Sequence, residues 1–304
     1  MTLFVAGGHG FLGKRVCHLL DKRGIKYVTN SLRDGIDYRD LNQLKNLFDK
    51  EKVTTVINCA AYVGGIQFGL KHQGEMYYNN TLMTLNFLEC SRIFKIKRLV
   101  NPISNCAYPA KATLFKEEEF WDGPLHDSVL AYGFARKASW VGSFAYQQQY
   151  GVDWINLILS NMYGPEDHFE PERSHALGAL VMRINEAKEK NLSEVVLWGT
   201  GKPVREWLYV DDGAEALIRA LDVKPLSAPV NVGVASGISI FELAQMIANQ
   251  LGYKGKLTTD PRKPDGAPYK TVDGSKGEKL LNWKPEISLE VGLKKTIDWY
   301  LNHK

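Results

Sequence analysis

Three groupings of residues in this chain are of types and spacings that do chemistry. The segment 7–13 (GGHGFLG) sets Gly7, Gly10 and Gly13 three apart, between the apolar run 2–6 and an amphipathic run that starts at residue 11. Glycines in that context permit a tight turn and close approach of the backbone to a pyrophosphate. The N–H groups of Phe11 and Leu12, opening the next helix, face the same anion. The second grouping offers hydroxyls and a thiol: Ser104 and Cys106 in 102–109 (PISNCAYP), and Tyr132 four residues ahead of Arg136 in 132–137 (YGFARK). The third is His175 in 173–175 (RSH). A thiol and an imidazole ordinarily ionise on either side of neutrality, near about 8.5 and 6.5. Such a pair suits removing and returning a proton at a carbon beside a carbonyl. Taken alone, Cys106 reads as a small buried hydrophobe and His175 as a histidine at a helix start.

These groups need a frame. Runs rich in β-formers at 2–6, 26–30, 53–58, 98–103 and 153–159 alternate with helical patterns at 11–22, 40–50, 75–94 and 130–149. Strand–helix alternation predicts an α/β fold, a Rossmann-type doubly wound parallel sheet with helices on both faces. After residue 160 the rhythm changes. A charged, proline-bearing stretch at 164–174 is followed by helical patterns at 175–190 and 236–252, and 203–222 reads as a return into the main sheet. The Pro/Gly-rich stretch 259–270 reads as a loop. A smaller C-terminal substrate lobe is therefore expected against the nucleotide-binding one.

The end of the second strand bears on the cofactor. A carboxylate there would accept from the ribose 2′-hydroxyl of NAD and repel a 2′-phosphate. Here Ser31 and Arg33 occupy the place, and a guanidinium suits a phosphate. Asp34 follows at once, so a solvated loop arginine is the competing reading.

Composition narrows the rest. With 44% apolar and 24% charged residues, the chain has material for a sizeable core and none of the bias of a disordered one. The net charge of +4 suits small anionic ligands, and the basic cluster Lys95, Lys97 and Arg98 does not extend into a nucleic-acid patch. Cys17, Cys59, Cys90 and Cys106 form no CxxC pair, so no metal site is expected. No apolar run reaches membrane-spanning length and no leader-like segment precedes residue 2, so a cytoplasmic protein with free thiols is expected.

The ordered set of motifs resembles the GDP-L-fucose synthase family of the extended short-chain dehydrogenase/reductases. Beyond 102–109, 132–137 and 173–175 the likeness takes in 61–66 (AYVGGI), 161–165 (NMYGP), 198–212 (WGTGKPVREWLYVDD) and 263–270 (KPDGAPYK), nearly the whole chain. It implies NADP(H) as cofactor. It also implies conversion of GDP-4-keto-6-deoxy-D-mannose to GDP-L-fucose by C3 and C5 epimerisation followed by C4 reduction. A C4 ketone acidifies the protons at C3 and C5. By resemblance Cys106 is the base and His175 the acid, Tyr132 donates the proton in the reduction, and Ser104 assists it. Gly7, Gly10, Phe11, Leu12, Gly13, Ser31, Arg33, Ala60, Ala61, Tyr132, Arg136 and Asn161 are implied to hold the cofactor. Asn161, Arg183, Trp198, Arg205 and Lys270 are implied to hold the GDP-sugar. The NADP-binding domain would comprise 1–160 with about 203–222, and the nucleotide-sugar lobe 161–202 with 223–304. Apolar residues such as Leu82, Leu85, Phe87, Leu88, Trp140 and Phe144 on the helices near 75–94 and 130–149 would form a homodimer interface, the alternative being that they pack within one core.

One position departs from the family. Its tyrosine is followed four residues later by lysine, where this chain has Arg136, with Lys137 one place late. Positions i and i+4 share a helix face and i+5 does not. Three readings stay open: Arg136 substitutes for the lysine, a helix irregularity brings in Lys137, or the hydride chemistry is altered. Two other functions stay open on the sequence: C4 reduction or oxidation of a related deoxy-hexose or heptose nucleotide without full epimerisation, and a cofactor-binding regulator without catalysis.

Overall fold

Every residue of the run Leu3, Phe4, Val5, Ala6 is buried, although a strand sends successive side chains to opposite faces. Both faces of this strand must therefore be covered. A computed structural model, which describes residues 2–111, 114–263 and 265–304, shows how. Pro264, within the stretch 263–270, lies outside the described residues.

The chain begins β1 (Thr2–Ala6), α1 (Phe11–Lys22), β2 (Tyr27–Asn30), α2 (Leu41–Glu51), β3 (Val53–Asn58), α3 (Ile66–Lys71), α4 (Gln73–Ile93), β4 (Arg98–Ser104), α5 (Leu130–Tyr150) and β5 (Trp154–Leu159). It continues β6 (Asn161–Tyr163), α6 (Ala176–Glu189), β7 (Glu194–Trp198), β8 (Val204–Arg205), β9 (Trp207–Tyr209) and α7 (Val210–Arg219). It ends β10 (Val230–Val232), β11 (Ile238–Ser239), α8 (Ile240–Leu251), β12 (Lys256–Asp260), β13 (Tyr269–Lys270), α9 (Ser275–Leu281) and α10 (Leu289–His303).

The large sheet has six strands in the order β10-β5-β4-β3-β1-β2, all parallel. Leu3, Val5, Ile57, Val100 and Leu157 point to one face, where Val16 and Leu20 of α1 and Leu217 of α7 cover them. Phe4, Val56, Leu99 and Trp154 point to the other, against Phe48 of α2 and Phe87 of α4. The order reverses between β1 and β3, and in such sheets the crevice at the carboxyl ends of the strands is where ligands bind.

A second core joins Leu177, Val181 and Ile184 of α6, Leu243 and Ile247 of α8, Leu293 and Ile297 of α10, and Val195 and Leu197 of β7. Helix α8 starts with a reciprocal cap: Ser239 accepts from the Glu242 N–H, and Glu242 accepts from the Ser239 N–H.

The return into the large sheet comes later than 203–222. Strand β8 pairs with β11 and β13, β9 pairs with β6, and α7 packs on the sheet instead of extending it. The sixth strand is β10, which pairs with β5 from Val230↔Leu157 to Val232↔Leu159. Three residues are too few to show a strand period, so only the partner strand identifies them. The stretch 259–270 likewise holds the end of β12 and all of β13 around its loop.

Two buried polar devices lock this frame. Asn58 Nδ2 donates to Asn101 Oδ1 at 3.0 Å, and Asn101 Nδ2 donates to Asn156 Oδ1 at 3.0 Å, crossing β3, β4 and β5. Asn156 Nδ2 donates to Ser143 Oγ at 2.8 Å, and Asn101 Nδ2 approaches Ser139 Oγ at 3.4 Å, so the row also grips α5. The second device is Glu206, fully buried, whose carboxylate accepts from the Val272 N–H at 2.7 Å and from the Val234 N–H. It gathers three segments that are far apart in the chain.

Burial raises the Glu206 carboxyl to about 7, against the backbone donors that favour its charged form. The folded state therefore binds a proton that the unfolded chain releases, so this group contributes most in acid, and the contribution is lost as pH rises through about 7. Glu206→Ala leaves two buried N–H groups unpaired, at about 1–3 kcal/mol each. Circular-dichroism melts are expected to show a lowered melting temperature, with the larger loss at about pH 5 than at about pH 8. An unchanged melting temperature would mean that the three segments are held without the carboxylate.

Candidate active site

The cleft at the carboxyl ends of the strands has a volume of about 580 Å³, within the usual range for a small-molecule site. A smaller cleft of about 210 Å³ continues from it, sharing Gly10, Ser31, Ala60 and Ala61.

The floor begins at the turn after β1. Gly7 has φ of +72°, and a Cβ there would come within 3.0 Å of the Ala60 backbone. A Cβ on Gly13 would lie 2.1 Å from the Gly7 carbonyl, so this glycine serves the packing of α1 on the turn and does not line the large cleft. A Cβ on Gly10 would meet only the Gly7 carbonyl, at 3.3 Å. Gly10 caps α1 without a side-chain hydrogen bond, and no acidic residue stands in the first turn. Free N–H groups and an uncancelled helix dipole thus border the space where Gly10, Phe11 and Leu12 line the cleft. These features fit a dinucleotide pyrophosphate.

At the end of β2, Ser31 Oγ lies 2.9 Å from His9 Nδ1 and accepts from the Arg33 N–H at 3.1 Å. Arg33 is exposed at the cleft margin. Tyr38 belongs to none of the motifs in the sequence. Its hydroxyl donates to the Asn30 carbonyl and accepts from the Gly7 N–H at 3.2 Å, so it ties the glycine turn to β2 and lines the smaller cleft. No motif announces it, because both of its partners are backbone atoms.

Ser104 ends β4, and its Oγ accepts from the Cys106 N–H at 3.2 Å, which fixes the short turn that presents the thiol. Helix α5 comes very close to this turn: a Cβ on Gly133 would stand 2.4 Å from the Cys106 carbonyl. Tyr132 is thereby held next to Ser104 and Cys106, and all three line the cleft. His175 arrives from the other side as the N-cap residue of α6. The Gly65 N–H donates to the Arg173 carbonyl at 3.0 Å, joining the loop after β3 to the loop that carries His175.

Helix α5 is unbroken, and Arg136, not Lys137, lines the cleft. Arg136 is buried, its Cζ lies 5.3 Å from the centre of the Tyr132 ring, and its Nη2 donates to Asn80 Oδ1 of α4 at 3.0 Å. Its Nε has no partner. Lys137 turns away. Its ammonium donates to the Phe120 carbonyl and sits 4.4 Å from the centre of the Trp121 ring. A helix irregularity that would bring Lys137 into the site does not occur.

Asn161 of β6, Arg205 of β8 and Lys270 of β13 line the cleft, and Asn161 Nδ2 is held by the Glu206 carbonyl at 3.0 Å. Arg183 and Trp198 are not among the lining residues. Both sit at β7, where Arg183 Nη2 donates to the Val196 carbonyl at 2.5 Å and Trp198 is exposed beside Lys263. Asp167, Arg173 and Trp207 also line the cleft; no role was expected of them, although Arg173 and Trp207 stand inside the segments 173–175 and 198–212.

Electrostatics divides the titratable groups. Burial pushes the Cys106 thiol up, but the Lys270 charge, the Ser104 hydroxyl and the Arg205 charge outweigh it, and the net direction is down. Burial, with a smaller push from His168, lowers His175 to about 4. The imidazole is therefore neutral near pH 7, unlike an ordinary histidine poised at neutrality. Burial raises Asp167 to about 7.

Comparison with known proteins agrees with this geometry. Residues 3–233 match the NAD-dependent epimerase/dehydratase family. The GDP-L-fucose synthase of Escherichia coli is 34% identical over 312 residues, which cover 99% of this chain and 97% of that one. Among solved structures, a GDP-6-OMe-4-keto-L-xylo-heptose reductase from C. jejuni superposes with a TM-score of 0.91 at 27% identity, covering 100% of this chain and 98% of the other. A GDP-L-fucose synthetase from Naegleria fowleri bound to NADP gives 0.89 at 29% identity, with 99% and 92% covered. The chain belongs to the NAD-dependent epimerase/dehydratase family and, within it, to the GDP-L-fucose synthases.

Proposed function

We propose that this protein is an NADP(H)-dependent epimerase/reductase that converts GDP-4-keto-6-deoxy-D-mannose to GDP-L-fucose. One observation carries the reading: Ser104, Cys106, Tyr132, Arg136 and His175 line a single cleft together with Gly10, Phe11 and Leu12 of the glycine turn. The lobe on the six-stranded sheet, residues 1–160 with 203–222 and the edge strand β10, takes the cofactor. The lobe built on α6, α8 and α10 takes the GDP-sugar.

When bound on the glycine turn, NADPH would supply the hydride for C4, with Arg33 and Ser31 holding the 2′-phosphate end. Before reduction, the Cys106 thiolate removes the proton from C3 or C5, and the electron pair moves onto O4 as an enolate. His175 returns a proton to the opposite face, and the two groups then re-equilibrate with solvent. Since burial favours the neutral form of His175, its protonated form depends on the negative charge of the substrate diphosphate and enolate. Tyr132 gives its proton to O4 as the alcohol forms, with Ser104 hydrogen-bonded alongside. Arg136 holds positive charge against the Tyr132 ring and favours the phenolate that remains. Its planar fork, anchored on Asn80, replaces a mobile ammonium. Arg205 and Lys270, which line the cleft, face the GDP-sugar; Arg183 and Trp198, which do not, are left for the part of the nucleotide that extends beyond it.

A second reading is C4 reduction of a related GDP-heptose without full epimerisation, which the likeness to the heptose reductase favours. Incubation with GDP-4-keto-6-deoxy-D-mannose and NADPH, with the product identified by NMR, separates the two. GDP-L-fucose is expected, and an uninverted product would favour the second reading.

The exposed faces of α4 and α5 carry Tyr77, Tyr78, Leu85, Phe134, Val141 and Phe144. Of the residues first considered for an interface, Phe87 and Leu88 instead lie in the core, because they face the sheet. The remaining patch supports a homodimer in which these two helices meet their copies.

Three outcomes follow from this reading. Cys106→Ser is expected to abolish deuterium uptake from D2O at C3 and C5, and uptake at the normal rate would remove Cys106 as the base. Arg136→Lys is expected to retain NADPH oxidation, whereas Arg136→Met loses it by about 10²-fold or more through the missing charge. Equal rates in the two variants would show that the charge at this position does not act on Tyr132. The double variant Leu85→Glu/Val141→Glu is expected to sediment as a monomer, and an unaltered dimer would place the interface elsewhere.

A further inference from the structure

Cys106 reaches the cleft from the turn after β4, and two cations act on it from strands β8 and β13. Strand β13 runs parallel to β8, with Lys270 in register with Arg205. Like charges directly opposite each other on neighbouring strands repel. They are tolerated where an anion lies between them. The Cys106 sulfur lies beside this pair: Lys270 Nζ is 3.3 Å from Sγ, and the Arg205 charge favours the thiolate of the same residue. Arg205 is itself steered, since its Nη1 donates to the Val204 carbonyl at 2.7 Å.

We propose that Lys270 is a positioning residue of the epimerisation: its ammonium, backed by Arg205, holds the Cys106 sulfur as a thiolate aimed into the cleft, ready to act as the base. The inference rests on Cys106 being that base, and it gives Lys270 work on the protein's own sulfur in addition to its contact with the nucleotide. The groups that face the thiol are Ser104 from β4, Lys270 from β13 and Arg205 from β8, with Tyr132 and Arg136 of α5 and His175 of α6 lining the same cleft. Asp265 acts on Arg205 rather than on the sulfur. The thiolate is the nucleophilic form of cysteine, so the pairing has a chemical signature that needs no substrate.

The test is the pH dependence of iodoacetamide alkylation at Cys106, followed by mass spectrometry of its peptide in the intact, folded protein. Burial pushes the other three thiols, Cys17, Cys59 and Cys90, upward, so they provide slow internal references. The wild-type midpoint is expected below the ordinary thiol value of about 8.5. Lys270→Met is expected to raise the midpoint by about one unit or more, which is roughly a tenfold slower reaction near neutral pH. Lys270→Arg, which keeps a cation, restores the low midpoint, and Lys270→Gln, which keeps a donor without charge, does not. A wild-type midpoint at or above the ordinary value overturns the proposal without recourse to any variant, and so does a Lys270→Met profile that matches the wild type. If Cys106→Ser leaves deuterium uptake intact while these shifts occur, another group is the base and the role of Lys270 in the epimerisation is overturned, although the Lys270–Cys106 pairing itself stands.

Discussion

The reactive groups of this protein sit on separate elements, so the cleft exists only if the sheet and helix α5 hold a fixed offset. The buried row Asn58, Asn101 and Asn156 imposes that offset. Apolar packing alone tolerates sliding, because a leucine is nearly as well packed a fraction of an ångström away. Amide side chains in a dry interior do not tolerate it, since each donor that loses its acceptor pays the full desolvation cost. Asn101 lies on β4 three residues before Ser104, and Asn156 reaches Ser143 on the helix that carries Tyr132. The spacing between the serine–thiol turn and the tyrosine is therefore set by hydrogen bonds below the floor of the site.

The same desolvation acts on every ionisable group in the cleft, and neighbours decide the outcome. His175 and Asp167 lack a counter-charge among the influences on them, and both are driven toward neutrality, the imidazole downward and the carboxyl upward. Cys106 has two cations and a hydroxyl beside it and goes the other way. With Cys106 as the proposed base and His175 as the proposed acid, a thiol shifted toward its thiolate and an imidazole shifted toward its neutral form bias the site toward removing a proton first. The protonation of His175 is then coupled to the charge that the ligand brings.

Much of this was legible in the sequence. Strands β1 and β3 have the bounds that the apolar runs indicate, and α1 starts and stops where the glycine turn and the basic last turn place it. Arg136 faces the cleft because four residues on a helix return to one side, a local fact that needs no tertiary information. What could not be read depends on partners distant in the chain. Strand β10 is three residues long and gains its identity from β5. Tyr38 and Glu206 act on backbone groups that carry no residue-specific signal. The likeness to a family assigned Lys270 to a nucleotide, and only the pairing of β13 with β8 brings its ammonium to a sulfur 164 residues away.

That separation has a consequence for how the protein comes into being. The dinucleotide turn, the sheet strands β1 to β5 and the whole serine–thiol–tyrosine cluster are synthesised before residue 160 and can pack as soon as they emerge. The segment that carries Lys270 is added late, and it docks against Glu206 and the sheet edge only after a long loop closes. On the proposed pairing, a growing chain then has its nucleotide fold before its cysteine meets the cation that favours the thiolate. Activation of the thiol would wait for the fold, which keeps a reactive sulfur out of half-made molecules.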